Sequence, residues 1–169
     1  MKGHYNVLFL CVRNSARSIM AEVLANQLGH GRFTAYSAGS NPRGQVDPMA
    51  LLVLQDAGFS TDNLRSKSWH EFAQPSAPEM DLVITVCDRA AGESCPVWPG
   101  HPITAHWSVP DPVAANGSAE DSRKAFTQTL MLLQQRIHLL SALKIEALDR
   151  LVVESEVRDI GRSQQQPST

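Results

Sequence analysis

A chain of 169 residues, 43% hydrophobic and 19% charged, fits one globular domain with a proper core. Its net charge of −2 offers no electrostatic case for nucleic acid or an anionic membrane as partner. No apolar run approaches membrane-spanning length, no secretory leader fits before the first strand, and three cysteines are too few for a disulfide framework, so a reduced, cytoplasmic protein is expected.

Val7, Leu8, Phe9 and Leu10 predict a short buried strand. From Ser18 onward Ile19, Val23, Leu24 and Leu28 recur at helical spacing among good helix formers. Between them runs a loop from Cys11 to Arg17, through Val12, Arg13, Asn14, Ser15 and Ala16. A strand that passes through such a loop into a helix leaves the amides of both pointing into one concave nest, which suits a tetrahedral oxyanion. The helix terminus and Arg17 favour the thiolate form of Cys11, making it a candidate nucleophile. Arg17 can fork onto two oxygens of the anion, and Ser18 can donate its hydroxyl to the sulfur. A buried cysteine at a strand end is ordinarily a small apolar filler. The strand before it, the helix after it and the polar groups of Asn14, Ser15 and Ser18 favour the functional reading.

Gly-His-Gly at 29–31 ends the helix, and residues 32–37 predict a second strand. Residues 38–44 read as a loop. Asp47 and Pro48 open a second helix as cap and first-turn proline, carried by Met49, Leu51, Leu52 and Leu54 to Gly58. Ser68 is the expected cap of a short helix through Phe72. Residues 82–86 form the third strand, ending at Cys87, and residues 105–107 a short fourth, followed by Asp111 and Pro112. Alternating strands and helices predict a parallel sheet with its ligand rim at the C-terminal strand ends, where Cys11, Cys87 and Asp111 all fall. If strands one and three are neighbours, a loop shift brings the sulfurs of Cys11 and Cys87 into bonding range. Residues 119–143 carry a long amphipathic helix on Ala125, Phe126, Leu130, Leu133, Ile137 and Leu140. The expected division is a catalytic domain over 1–143, an added C-terminal helix over 144–160 and a disordered tail over 161–169.

Cys87 and Cys95 raise the question of zinc, since His101 and His106 follow. Seven intervening residues do not match the spacing of zinc-binding cysteine pairs, and no metal is assigned. Cys95, in a Gly/Glu/Ser/Pro loop, is a poor core candidate, so a redox pair with Cys87 is the sharper reading. Asp111 before Pro112 is locally an ordinary turn or cap, but its place on the rim adds a chemical reading. Trp69, Trp98 and Trp107 are expected as core anchors.

Residues 11–18, Cys-Val-Arg-Asn-Ser-Ala-Arg-Ser, resemble the phosphate loop of low-molecular-weight protein tyrosine phosphatases and of the arsenate reductases built on the same fold. The resemblance covers about residues 5 to 137 and takes in Tyr-Ser-Ala-Gly at 36–39. It implies a three-layer α/β/α fold with a flavodoxin-like, four-stranded parallel sheet. It also implies an oxyanion held by residues 12–18, and Asp111 as general acid. Cys87 with Cys95 resembles the relay of the three-cysteine reductases, a pair that ordinary phosphatases of the fold lack. Three departures stand out: Arg13 replaces the more common Gly, the 87–95 loop is a residue longer, and Val113-Ala114 stands where phosphatases carry an aromatic pair.

The activity so implied is arsenate reduction, with Cys11, Arg17, Asp111, Cys87 and Cys95 as its machinery. No bound cofactor is needed, only an external thiol reductant, thioredoxin or glutaredoxin with glutathione. Asn14, Glu22 and Ser37 match positions that bind potassium in some related reductases, though Asn14 is as well explained by loop shape. Two alternatives stay open: a phosphomonoesterase needing only Cys11, Arg17 and Asp111, and a non-catalytic oxyanion or redox sensor.

Overall fold

The computed structural model describes residues 3–92, 96–114, 117–147 and 150–163. Its first strand, Tyr5–Cys11 (β1), is buried at all but one position, as a continuous apolar run covered on both faces must be. Phe33–Gly39 (β2) flanks it on one side and Leu82–Thr85 (β3) on the other, with Ile103–His106 (β4) outside β3. All pairs are parallel, giving the order β2-β1-β3-β4. Strands one and three are therefore neighbours. Leu10 faces Thr85, and the Val86 amide donates to the Leu10 carbonyl at 2.8 Å. That register brings Cys11 and Cys87 off the sheet at the same end of adjacent strands.

Successive residues of β1 feed opposite faces. Val7 and Phe9 pack with Arg17–Leu28 (α1), Pro48–Asp56 (α2) and Ala119–Ala142 (α4) through Met20, Leu24, Leu54, Phe126, Leu130, Leu133 and Ile137. Leu8 and Leu10 face a thinner layer, formed by the 3-10 turn Trp69–Phe72 and loop residues including Met80 and Trp98. The short helix Asp88–Ala91 (α3) follows β3 directly. The caps expected at Asp47 and Ser68 are present, and α4 adds one at Ser118. Asp47 accepts the Met49 amide at 2.8 Å, Ser68 accepts the His70 amide, and Ser118 forms a capping box with Asp121. Among the described residues no helix is long and apolar enough to cross a membrane.

The chain departs from expectation at several ends. β2 runs on through Ala38 and Gly39, which pair with Leu10 and Cys11, so the loop expected from 38 starts two residues later. The fourth strand begins at Ile103 and stops before Trp107. The C-terminal helix expected over 144–160 starts later. A 3-10 turn, Ile145–Ala147, precedes Arg150–Ser163 (α5), which runs three residues into the segment read as a disordered tail. Packing explains the extension: Val153, Val157 and Ile160 recur at helical spacing into the core, and Gly161 closes against Trp107 and the His106 carbonyl. Residues 164–169 lie outside the described residues.

Gly39 is the closest backbone approach near the rim. A Cβ there would lie 2.4 Å from the Val12 carbonyl oxygen and 2.9 Å from the Asn14 nitrogen, both backbone atoms that cannot swing aside. Gly39→Ala should lower Tm by roughly 2–12 °C, from the usual overpacking penalty spread over a chain of this length. Gly92→Ala, whose nearest neighbour would be an ordinary 3.7 Å away, is the control and should stay near the wild-type Tm in a thermal melt.

Candidate active site

Asn14 turns the loop over. Its φ of 45° lies in the left-handed region that asparagine tolerates better than most residues, and its side chain holds the conformation from both ends. Asn14 Oδ1 accepts the Lys67 amide at 2.9 Å, and Asn14 Nδ2 donates to Ser18 Oγ at 2.8 Å. Because that amide group only donates, the Ser18 hydroxyl proton is left for Cys11 Sγ, 2.9 Å away. On the outer side the Val12 carbonyl accepts the Asn41 amide, the Arg13 carbonyl accepts the Arg43 amide and the Ser66 hydroxyl, and the Ser15 carbonyl accepts the Asp47 amide. With these carbonyls engaged outward, the loop amides are the groups left for a cradle. α1 begins at Arg17 with no side-chain cap, unlike α2 and α4, and with no acid in its first turn, unlike α4. Its first amides are free to meet an anion.

Arg17 reaches across the site. Its Nη1 donates to the Val109 carbonyl at 2.9 Å, and its Nη2 lies 3.7 Å from Asp111 Oδ2. Asp111 meets both readings of its sequence: Oδ1 accepts the Val113 amide at 3.0 Å and opens the 3-10 turn Pro112–Ala114, while Oδ2 turns to Arg17. The Arg17 guanidinium is thus shared between the anion position and the Asp111 loop.

Cys87 caps α3, its Sγ accepting the Ala90 amide at 3.4 Å. Burial pushes this thiol above its ordinary pKa, and proximity to Cys11 adds to the rise. The Ala90 and Val12 amides and the Arg17 guanidinium pull the other way. Cys11 and Cys87 are both free thiols, both buried. The residue after Cys87 is tied down: Asp88 Oδ1 accepts His106 Nε2 at 2.8 Å and the Ser108 hydroxyl at 3.3 Å. His106 holds the Asp88 carboxyl below the usual carboxylate range, chiefly through this hydrogen bond. Thr85 Oγ1 lies 2.7 Å from His106 Nδ1, so both ring nitrogens are engaged.

Cys11, Val12, Arg13, Ser15, Ala16, Arg17, Cys87 and Asp111 line one cavity of about 580 Å³, with Arg43 and Arg89 also on its wall. Asn14 and Ser18 stand behind it, fully buried. Cys95 lies outside the described residues, and with it the Cys87–Cys95 pairing. Among the described residues no cluster of three His, Cys, Asp or Glu side chains is placed to hold a metal ion. Nor do Asn14, Glu22 and Ser37 form an open cation site. The Lys67 ammonium lies 3.6 Å from Glu22 Oε1 and 3.3 Å from Ser37 Oγ, and Ser37 itself donates to Glu22. Burial lowers the Lys67 pKa, and Glu22 opposes that shift.

Sequence reasoning missed Gly39, Lys67 and the Asp88–His106–Ser108 ties. Only Gly39 left a signal, as a glycine at a strand end within the Tyr-Ser-Ala-Gly stretch.

The profile of the family described as low molecular weight phosphotyrosine protein phosphatase matches residues 6–152. The arsenate reductase of Bacillus subtilis (strain 168) is 36% identical over 122 residues, 72% of this chain and 84% of the relative. The crystal structure of arsenate reductase from Archaeoglobus fulgidus superposes with a TM-score of 0.64 at 26% identity, covering 81% of this chain and 99% of that one. The thioredoxin-dependent arsenate reductase of Corynebacterium glutamicum shares the fold, with a TM-score of 0.54 at 23% identity over 81% of this chain and 63% of that one. The match over most of the chain means that this protein belongs to the low molecular weight phosphotyrosine protein phosphatase family.

Proposed function

We propose that the chain is an arsenate reductase in which the loop at 11–18 holds the oxyanion and two cysteines supply the electrons. The observation that carries this reading is the second thiol. A phosphatase needs one sulfur beneath the cradle; here Cys11 and Cys87 are both free on adjacent strand ends and line one cavity. The arsenate reductases among the relatives support the same reading. Val113, half exposed on the cavity wall, offers an aliphatic surface rather than a ring for gripping an aryl group.

The steps balance. The Cys11 thiolate attacks arsenic(V), and Asp111 gives a proton to the departing oxygen, which leaves as water. Arg17 and the loop amides carry the remaining negative charge. The Cys87 thiolate then attacks the Cys11 sulfur. The S–S bond forms as the S–As bond breaks, and the bonding pair stays on arsenic, which departs as arsenite. Cys95 attacks Cys87, returning Cys11 as thiolate, and an external dithiol reduces the Cys87–Cys95 bond. Thioredoxin suits that last exchange; glutaredoxin with glutathione is the other arm to test.

With thioredoxin, thioredoxin reductase and NADPH, the wild type should release arsenite over many turnovers. Cys87→Ser should release none, and Cys95→Ser about one equivalent per enzyme. Sustained arsenite release by Cys87→Ser removes the relay, while aryl phosphate hydrolysis without arsenite release identifies a phosphatase instead. The buried Cys87 thiol sets a pH signature as well. Its raised pKa means less thiolate at neutral pH than in a free cysteine, so alkylation of Cys87 in a Cys11→Ser, Cys95→Ser background should still be accelerating above about pH 8.5. A plateau below that pH contradicts the assignment.

A further inference from the structure

We infer that Arg136, on α4 and remote from the sulfurs, is a positioning residue for the loop that carries Asp111. The inference rests on Asp111 being the acid. Arg136 is fully buried, and its Nη1 donates to the Ser108 carbonyl at 2.8 Å. Its Nε and Nη2 have no hydrogen-bond partner among the described residues, and no carboxylate there pairs with it. Burying a guanidinium so incompletely satisfied is strongly unfavourable next to an aliphatic side chain of similar volume. An aliphatic residue would simply widen the apolar row of Phe126, Leu130, Leu133, Ile137 and Leu140 on the same helix. What arginine adds is one donor long enough to reach the rim.

The rim needs donors from outside. After the Trp107 amide makes the last ladder bond to the Thr85 carbonyl, the chain reads Ser-Val-Pro-Asp-Pro, and neither Pro110 nor Pro112 has an N–H to give. The stretch cannot brace itself through backbone bonds at those positions. Two guanidiniums brace it instead on consecutive carbonyls: Arg136 from α4 on Ser108 and Arg17 from α1 on Val109. Asp111 follows two residues later, and α4 also packs against its 3-10 turn. Without Arg136, the Ser108 carbonyl loses its guanidinium and Arg17 braces the loop's carbonyls while also serving the anion position, so the carboxyl loses its fixed distance to the leaving oxygen.

The test uses the full chain, with Arg136→Met, Arg136→Lys, Asp111→Asn and the Arg136→Met, Asp111→Asn double variant. The readouts are single-turnover arsenite release, inhibition by inorganic phosphate and Tm. Arg136→Met should slow release about tenfold or more, within the range of a general acid's contribution, with the phosphate inhibition constant within about twofold of wild type. Arg136→Lys, with one donor on a shorter stem, should fall between. In the Asp111→Asn background Arg136→Met should slow release less than about twofold further, since both changes remove the same proton delivery. Equal slowing in both backgrounds, or a lowered Tm with release unchanged, overturns the inference and leaves Asp111 as acid. A wild-type rate in Asp111→Asn overturns the acid assignment and the inference together. If Arg136→Met is recovered unfolded, Arg136→Lys is judged by the same comparison in both backgrounds.

Discussion

A peptide loop that offers its amides inward must send its carbonyls somewhere, and the rest of this fold is arranged to receive them. The Asn41, Arg43 and Asp47 amides and the Ser66 hydroxyl take the outward carbonyls of residues 12, 13 and 15. Gly39 lets β2 pass close enough beneath the turn for this to happen. Asn14 holds the turn's left-handed residue through the Lys67 backbone on one side and Ser18 on the other. The anion cradle is thus the inner surface of a loop clamped from outside, with its sulfur set by a hydroxyl whose orientation Asn14 decides. Rigidity of this kind is what lets fixed dipoles act on an anion without reorganising.

Below the cradle the same principle recurs with charge. The Lys67 ammonium is buried between Glu22 and Ser37, close under the turn its own backbone supports. Desolvation lowers the ammonium's pKa and the carboxylate restrains the shift, so the pair is held together largely because neither member alone suits the interior. At the rim, the His106 ring and the Asp88 carboxyl do the comparable work for the segment carrying Cys87. Cys11 and Cys87 differ in this respect: one is set by a rigid turn, the other by a four-residue helix whose first residue hangs on a single histidine and a serine. In the proposed relay, the thiol that travels is the one on the lighter mounting.

Much of this was legible from residue patterns. Four apolar residues before Cys11, helical spacing after Ser18 and Asp-Pro at 47–48 fixed the first two βα units, because local propensity and packing agree there. The adjacency of Cys11 and Cys87 followed from strand alternation and one topological assumption, which the β2-β1-β3-β4 order satisfies. What was not legible depends on long-range closure. Lys67 and Ser66 sit in a polar stretch with no periodicity, and nothing local says that their neighbours will be Asn14 and Arg13. Arg136 falls beside an apolar stripe and reads as a solvated edge of a helix until the rim carbonyl is placed above it. The end of α5 escapes the pattern for a related reason: a glycine followed by polar residues looks like a tail, unless an indole waits to receive its bare Cα face.

That indole has one more bond. Trp107 Nε1 donates to the Val157 carbonyl at 3.1 Å, so α5 is fastened to the residue immediately before Ser108. A helix that could have been an appendage has become part of the mounting for the stretch of chain that carries Asp111. A substitution that loosens α5 at Val153, Val157 or Ile160 therefore has a direct mechanical line to the mouth of the pocket.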